Sequence, residues 1–93
     1  MIVQRNVYKA KWACGQKLVA NLKEECEKAG LSYRIYTSLT GPWPTVVLHM
    51  EFESMDERGK FFAEWGAKSE TAAFLEKQGE VVESLDIQFL TLV

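Results

Sequence analysis

From Thr45 to Glu53 apolar and polar side chains alternate without a break, with Val46, Leu48, Met50 and Phe52 on one side and Val47, His49, Glu51 and Glu53 on the other. A period of two belongs to a β-strand, and the wholly apolar row predicts a face packed against helices. The stretch from Ile2 to about Lys11 sets Val3, Val7 and Tyr8 among polar residues and breaks at Ala13-Cys14-Gly15, which reads as a first strand. Leu31 to about Leu39 alternates Tyr33, Ile35, Thr37 and Leu39 with Ser32, Arg34, Tyr36 and Ser38. It runs into Thr40-Gly41-Pro42-Trp43-Pro44, where two prolines and a glycine dictate a loop. The last strand is expected from about Leu85 to Val93. Leu85, Ile87 and Phe89 alternate there with Asp86 and Gln88 until Phe89-Leu90-Thr91-Leu92-Val93 becomes apolar on both sides.

Helical spacing fills the gaps between these strands. Leu18, Val19, Leu22, Cys26 and Ala29 form one face of a helix over Gln16–Ala29, with Glu24 and Lys28 four apart on the other side and Gly30 as its stop. Ser54-Met55-Asp56-Glu57 has the form of a capping box, in which Ser54 accepts from the Glu57 amide and Glu57 reaches back to the Ser54 amide. Met55, Phe61, Phe62 and Trp65 then give a stripe that reads as core, and Ser69 caps a further segment carrying Ala72, Phe74 and Leu75 before Gly79.

The order β-α-β-β-α(α)-β is a split βαβ arrangement. It predicts an α+β, ferredoxin-like fold, a four-stranded antiparallel sheet with its helices on one face, as one domain over residues 1–93. The other face cannot meet water alone, because Leu90 and Leu92 fall on the side where the third strand puts Val47. A second copy packed against it is the simplest cover, so a homodimer is expected with Leu90 and Leu92 in its interface. Trp43, in its proline-flanked loop, is expected to pack against the partner or to close a pocket mouth.

Length and composition fit one soluble domain, since 93 residues support a single core and 47% of them are hydrophobic. A net charge of −2, with eleven scattered Lys and Arg, offers no footprint for a nucleic-acid backbone. The third strand also lacks the stacking aromatics of an RNA-recognition motif. Neither a membrane-spanning run nor a signal peptide is evident, so the expected place is the cytoplasm, with Cys14 and Cys26 as reduced thiols and no membrane partner. Cys14 precedes a helix N-terminus, but no second Cys or His stands near it in sequence to make a reactive pair. No phosphate loop, nucleophile elbow or metal-ligand spacing is present, so neither a metal nor a cofactor is expected.

Candidate chemistry lies on the strand faces turned away from the helices: Arg34, Tyr36, Ser38, His49, Glu51 and Gln88, with Asn6 as a neighbour from the first strand. Polar groups converging on an apolar wall are what a small-molecule pocket requires. His49 is the only histidine, the residue type suited to general acid–base work near neutrality, with Glu51 or Arg34 to tune it. Its plainer role is a hydrogen-bonded strand residue. Arg34 suits a carboxylate or phenolate on a ligand, or an internal pair with Glu51 or Glu53. Tyr36 either binds through its hydroxyl or fills the wall.

Val7-Tyr8-Lys9-Ala10-Lys11 leading to Gln16-Lys17-Leu18-Val19, Thr45-Val46-Val47-Leu48-His49-Met50-Glu51-Phe52 running into Phe61-Phe62-Ala63-Glu64-Trp65, and the apolar last strand together resemble the dimeric α/β-barrel superfamily. That group includes antibiotic-biosynthesis-monooxygenase-like, Dabb and NIPSNAP-like domains, and the likeness spans nearly the whole chain. The resemblance implies two sheets enclosing a barrel that binds a small apolar or aromatic ligand. It further implies a cofactor-independent monooxygenase or cyclase acting on an aromatic or polyketide-like compound, with His49 taking a proton and Arg34 stabilising the anion. The alternative is a non-catalytic dimeric module whose barrel is filled by its own side chains.

Overall fold

The third strand forms where the alternation is cleanest: β3 (Thr45–Phe52) buries Val46, Leu48, Met50 and Phe52 and leaves Thr45, Val47, His49 and Glu51 half-buried on its other side. The computed structural model describes residues 1–38 and 44–93. The interface role expected of Trp43 therefore lies outside the described residues, as does the loop before Pro44. β1 (Ile2–Ala10) pairs antiparallel with β3 on one side and with β4 (Val82–Thr91) on the other, while β2 (Tyr33–Thr37) pairs with β3. The sheet order β2-β3-β1-β4 is that of the ferredoxin-like fold.

Three helices cover one face. α1 (Gly15–Ala29) buries Leu18, Leu22 and Cys26, each four residues from the next, and ends on Gly30 in the left-handed conformation, φ 69°, with its amide donating to the Cys26 carbonyl. Only a residue tolerant of positive φ closes a helix in this way, which is why a glycine stands there. Gly15 answers a different need, since a Cβ at that position would sit 3.2 Å from Pro44. α2 (Met55–Ala67) starts as expected, with Ser54 Oγ accepting from the Glu57 amide at 3.2 Å. Among the described residues that is the half of the capping box that forms.

Several boundaries differ from the sequence reading: β2 starts at Tyr33, β4 runs from Val82 to Thr91, and both ends of the third helix move. α3 (Ser69–Val81) takes Ser69 as its first residue and Lys68, without a side-chain cap, as its N-cap. The junction is held instead by Thr71, whose hydroxyl donates to the Trp65 carbonyl. Nor does the helix stop at Gly79. It runs on to Val81 and passes directly into β4, tied to the end of β1 by Lys11 Nζ donating to the Gly79 carbonyl (3.1 Å) and the Lys11 amide to that of Val81 (2.8 Å).

The core joins Tyr8, Ala10, Leu18, Leu22, Cys26, Val46, Leu48, Met50, Phe52 and Val81, with Phe61, Phe62 and Phe74 packed against it. Each aliphatic or aromatic side chain fully buried there contributes about 1.5–3 kcal/mol. At 19 Å in its thin direction the molecule is one sheet and one helix layer deep, and the second sheet face is uncovered. No helix among the described residues is long and apolar enough to cross a membrane.

Candidate functional site

Strand register settles which side chains share the open face. Arg34 of β2 stands opposite His49 of β3, His49 opposite Arg5 of β1, and Arg5 opposite Gln88 of β4. These four make a polar row across the whole sheet, within which Arg5 Nη1 donates to Gln88 Oε1 at 3.1 Å. Next to it run Tyr36, Val47, Val7 and Asp86 on one side, and Glu51, Val3 and Leu90 on the other. The Tyr36 and His49 rings meet edge to face, 6.2 Å between centroids. His49, Arg34, Tyr36, Glu51 and Gln88 thus share one face, as expected of them.

Arg34 does not pair with Glu51 or Glu53. The ion pair among the described residues joins Lys60 and Glu57 at 3.5 Å, while Arg34 is in register with His49. The cation that sequence reasoning passed over on this face is Arg5. Asn6, expected there, lies on the other face, 7% exposed and opposite Leu48 and Ile87. The reason is phase: one residue of slip exchanges the two faces of a strand, and in β1 both phases mix polar with apolar. Leu90 sits on the open face beside Val3, whereas Leu92 lies past the end of β4 and is 89% exposed.

Asn6 belongs to a second polar assembly, on the helix side of β1. Arg58 of α2 donates from Nε to Gln4 Oε1 (3.0 Å), Gln4 Nε2 to Asn6 Oδ1 (3.0 Å), and Asn6 Nδ2 to the Tyr8 hydroxyl (3.2 Å). Gln4, Asn6 and Tyr8 are all buried, so each bond replaces water the group has lost. The Arg58 guanidinium lies over the Phe62 ring at 4.5 Å and near that of Phe89 at 5.1 Å.

The chain of amides leads to a half-open cavity of about 80 Å³ between α1, α2, the start of α3 and the sheet. Phe61, Phe62, Trp65, Phe74, Leu48 and Met50 give it apolar walls, and Asn6, Tyr8 and Cys26 supply its polar part. At the half-buried rim Trp65 Nε1 donates to Glu25 Oε1 at 2.7 Å, bridging α2 to α1. Burial raises the Tyr8 hydroxyl's pKa against the opposing hydrogen bond from Asn6. Burial, with Glu25 and Glu27 beside it, pushes the Cys26 thiol up to about 11. Both groups therefore keep their protons at neutral pH. The space suits one small ring or several waters, short of the roughly 300 Å³ of a drug-sized site.

Of the stripe read as core, Phe61 and Phe62 pack half-buried against the core and with Trp65 wall the cavity, whereas Met55 is exposed. The signal for this site was in the sequence, as polar Gln4 and Asn6 two apart and in phase with Tyr8 on a strand that must face helices.

Neither a protein-family model nor any curated protein matches the chain in sequence. Solved structures do match. A NIPSNAP domain protein from Burkholderia xenovorans superposes with a TM-score of 0.86 at 16% identity, over 100% of this chain and 95% of the other. A NIPSNAP family protein from Agrobacterium tumefaciens gives 0.82 at 19%, over 99% and 92%. A Deinococcus radiodurans protein that carries the name of an antibiotic biosynthesis monooxygenase gives 0.75 at 12%, over 100% and 93%. The chain has the ferredoxin-like fold of NIPSNAP and antibiotic-biosynthesis-monooxygenase-like proteins, the group its sequence patterns resemble.

Proposed function

We propose that the protein binds a small apolar or aromatic compound in the cavity between sheet and helices and works as a homodimer. The observation that carries this reading is the aromatic-walled space lined also by a buried amide, Asn6, and a buried phenol, Tyr8, the composition of a small-molecule site. In the dimer the open sheet faces meet, and the row Arg34, His49, Arg5 and Gln88 becomes interior. His49 is then the group able to exchange a proton with a molecule held between the sheets, with the two guanidinium groups beside it to stabilise an anion. The name of the Deinococcus radiodurans structure adds mono-oxygenation as the activity to assay, by oxygen uptake with aromatic compounds in wild type and His49→Ala.

Fluorobenzene followed by ¹⁹F NMR tests the cavity. Its line is expected to broaden with the wild-type protein at millimolar concentration and to stay sharp with Ala29→Leu, which fills the space Ala29 lines. An unbroadened line with wild type removes the proposal.

A further inference from the structure

The hydrogen bonds on the helix side of β1 run in one direction only. Arginine has donors and no acceptor, so the Gln4 atom facing Arg58 Nε at 3.0 Å must be the carbonyl oxygen. Gln4 then turns its NH2 to Asn6, and Asn6 must answer with oxygen (3.0 Å) and turn its own NH2 to the Tyr8 hydroxyl oxygen (3.2 Å). Reversing Gln4 would set donor against donor at Arg58 and acceptor against acceptor at Asn6, and reversing Asn6 would set its NH2 against that of Gln4, inside the core where neither can reach water. Packing holds the anchor in place, since the Arg58 guanidinium rests over Phe62 at 4.5 Å and near Phe89 at 5.1 Å.

The sense of the chain decides what is left over at its far end. The Tyr8 oxygen is an acceptor, and its proton meets no acceptor among the described residues, although Tyr8 is only 7% exposed. Asn6 keeps a second amide proton in the same condition. Both residues line the cavity. Of the other polar groups there, the Cys26 thiol is protonated and the Glu25 carboxylate accepts from Trp65 at the rim through one oxygen. Among the described residues no Lys or Arg lines the space, so an anion would enter beside Glu25 without a counter-charge.

We propose that the one-way chain from Arg58 through Gln4 and Asn6 makes Tyr8 a hydrogen-bond donor into the cavity. The ligand class selected is then a small ring compound bearing a neutral acceptor, a carbonyl oxygen above all, at its buried end. This rests on the cavity being the binding site. Tyr8 is the residue that touches the ligand, and Arg58 is a positioning residue that fixes the direction of the amides between.

Cyclohexanone, labelled with ¹³C at the carbonyl, and methylcyclohexane are the probes. The infrared carbonyl stretch of cyclohexanone bound to wild type is expected as a single band at lower frequency than in hexane. Tyr8→Phe should return it to the hexane position and weaken cyclohexanone binding roughly 3- to 10-fold, the range of one neutral hydrogen bond. Methylcyclohexane affinity should stay within about twofold, because that ligand makes no such bond. Arg58→Met should split the band into bonded and free populations. Arg58→Lys, whose ammonium is also donor-only, should keep it single, which a purely structural role for the side chain does not predict. Should Tyr8→Phe fail to fold, 3-fluorotyrosine at position 8, a more acidic phenol, is expected to lower the carbonyl stretch further, and an unmoved band assigns the bond to Asn6 and overturns the proposal. If both probes bind and the carbonyl stretch matches hexane, the donor assignment is overturned and the cavity reading stands. If neither probe binds, the cavity reading itself falls.

Discussion

Cys26 lies under α1 at 4% exposure, and its surroundings oppose the thiolate: burial first, then the Glu25 and Glu27 carboxylates, raise its pKa from 9.0 to about 11. An acid whose pKa is raised by folding holds its proton longer in the native chain than in the unfolded one. Its contribution to stability is therefore complete below pH 9.0 and is lost as pH rises through about 11. The whole amount is roughly 2–3 kcal/mol. Urea titrations of wild type and Cys26→Ala across this window should show the variant losing less stability with pH. Tyr8, raised chiefly by burial, acts in both proteins, and the smaller part of its rise that comes from the Cys26 thiolate is lost with the thiol and adds to the same difference. Equal pH slopes would contradict the part assigned to the thiol. At this scale the sequence was readable wherever a side chain had one plausible environment, as for Leu18 or Val46. It was not readable at Asn6, because a polar residue on a half-polar strand satisfies open face and core alike until its hydrogen-bond partners are known.

Among the elements, β3 and α1 were legible because each carries one unbroken period and, for α1, a glycine stop that takes positive φ. The α2–α3–β4 stretch was less so, since Ser69 and Gly79 are good local signals overridden by the Thr71 contact and the Lys11 tethers. α2 also carries Gly59 and Gly66, where an added Cβ would meet nothing within 4 Å. No close packing accounts for them. Replacing either by alanine should therefore raise stability by about 0.5–1 kcal/mol, the usual difference between the two residues within a helix. Chemical denaturation of Gly59→Ala checks this, and a loss of stability would point to a contact the helix makes in the assembled protein.

For the whole molecule, β4 is the element left uncovered. On the open face Leu90 is 45% exposed, and on the helix side Leu85, Ile87 and Phe89 are 46%, 44% and 47% exposed, although Arg58 of α2 reaches the Phe89 ring. An edge strand with apolar side chains on both sides is a surface for association. Light scattering at micromolar concentration should give twice the 10.6 kDa chain mass, and Leu90→Asp should give a monomer. A monomeric wild type would dismiss the pairing. The fold was legible as a whole because its element order admits few topologies. The helix-side cavity was not, since it arises where three helices and a sheet leave a gap, and spacing along a chain does not encode gaps.

The amide chain along β1 bears on how the protein reaches this fold. Hydrophobicity scarcely distinguishes the two phases of β1, since Val3, Arg5, Val7 and Lys9 are about as mixed as Gln4, Asn6, Tyr8 and Ala10. A strand so composed is poorly specified against slipping by one residue between its two neighbours. In the slipped arrangement the charges of Arg5 and Lys9 would turn into the core, and Arg58 would lose the Gln4 carbonyl. The buried amides thus act as a key for the central strand: they are the part of the sequence that makes one alignment of the sheet unique.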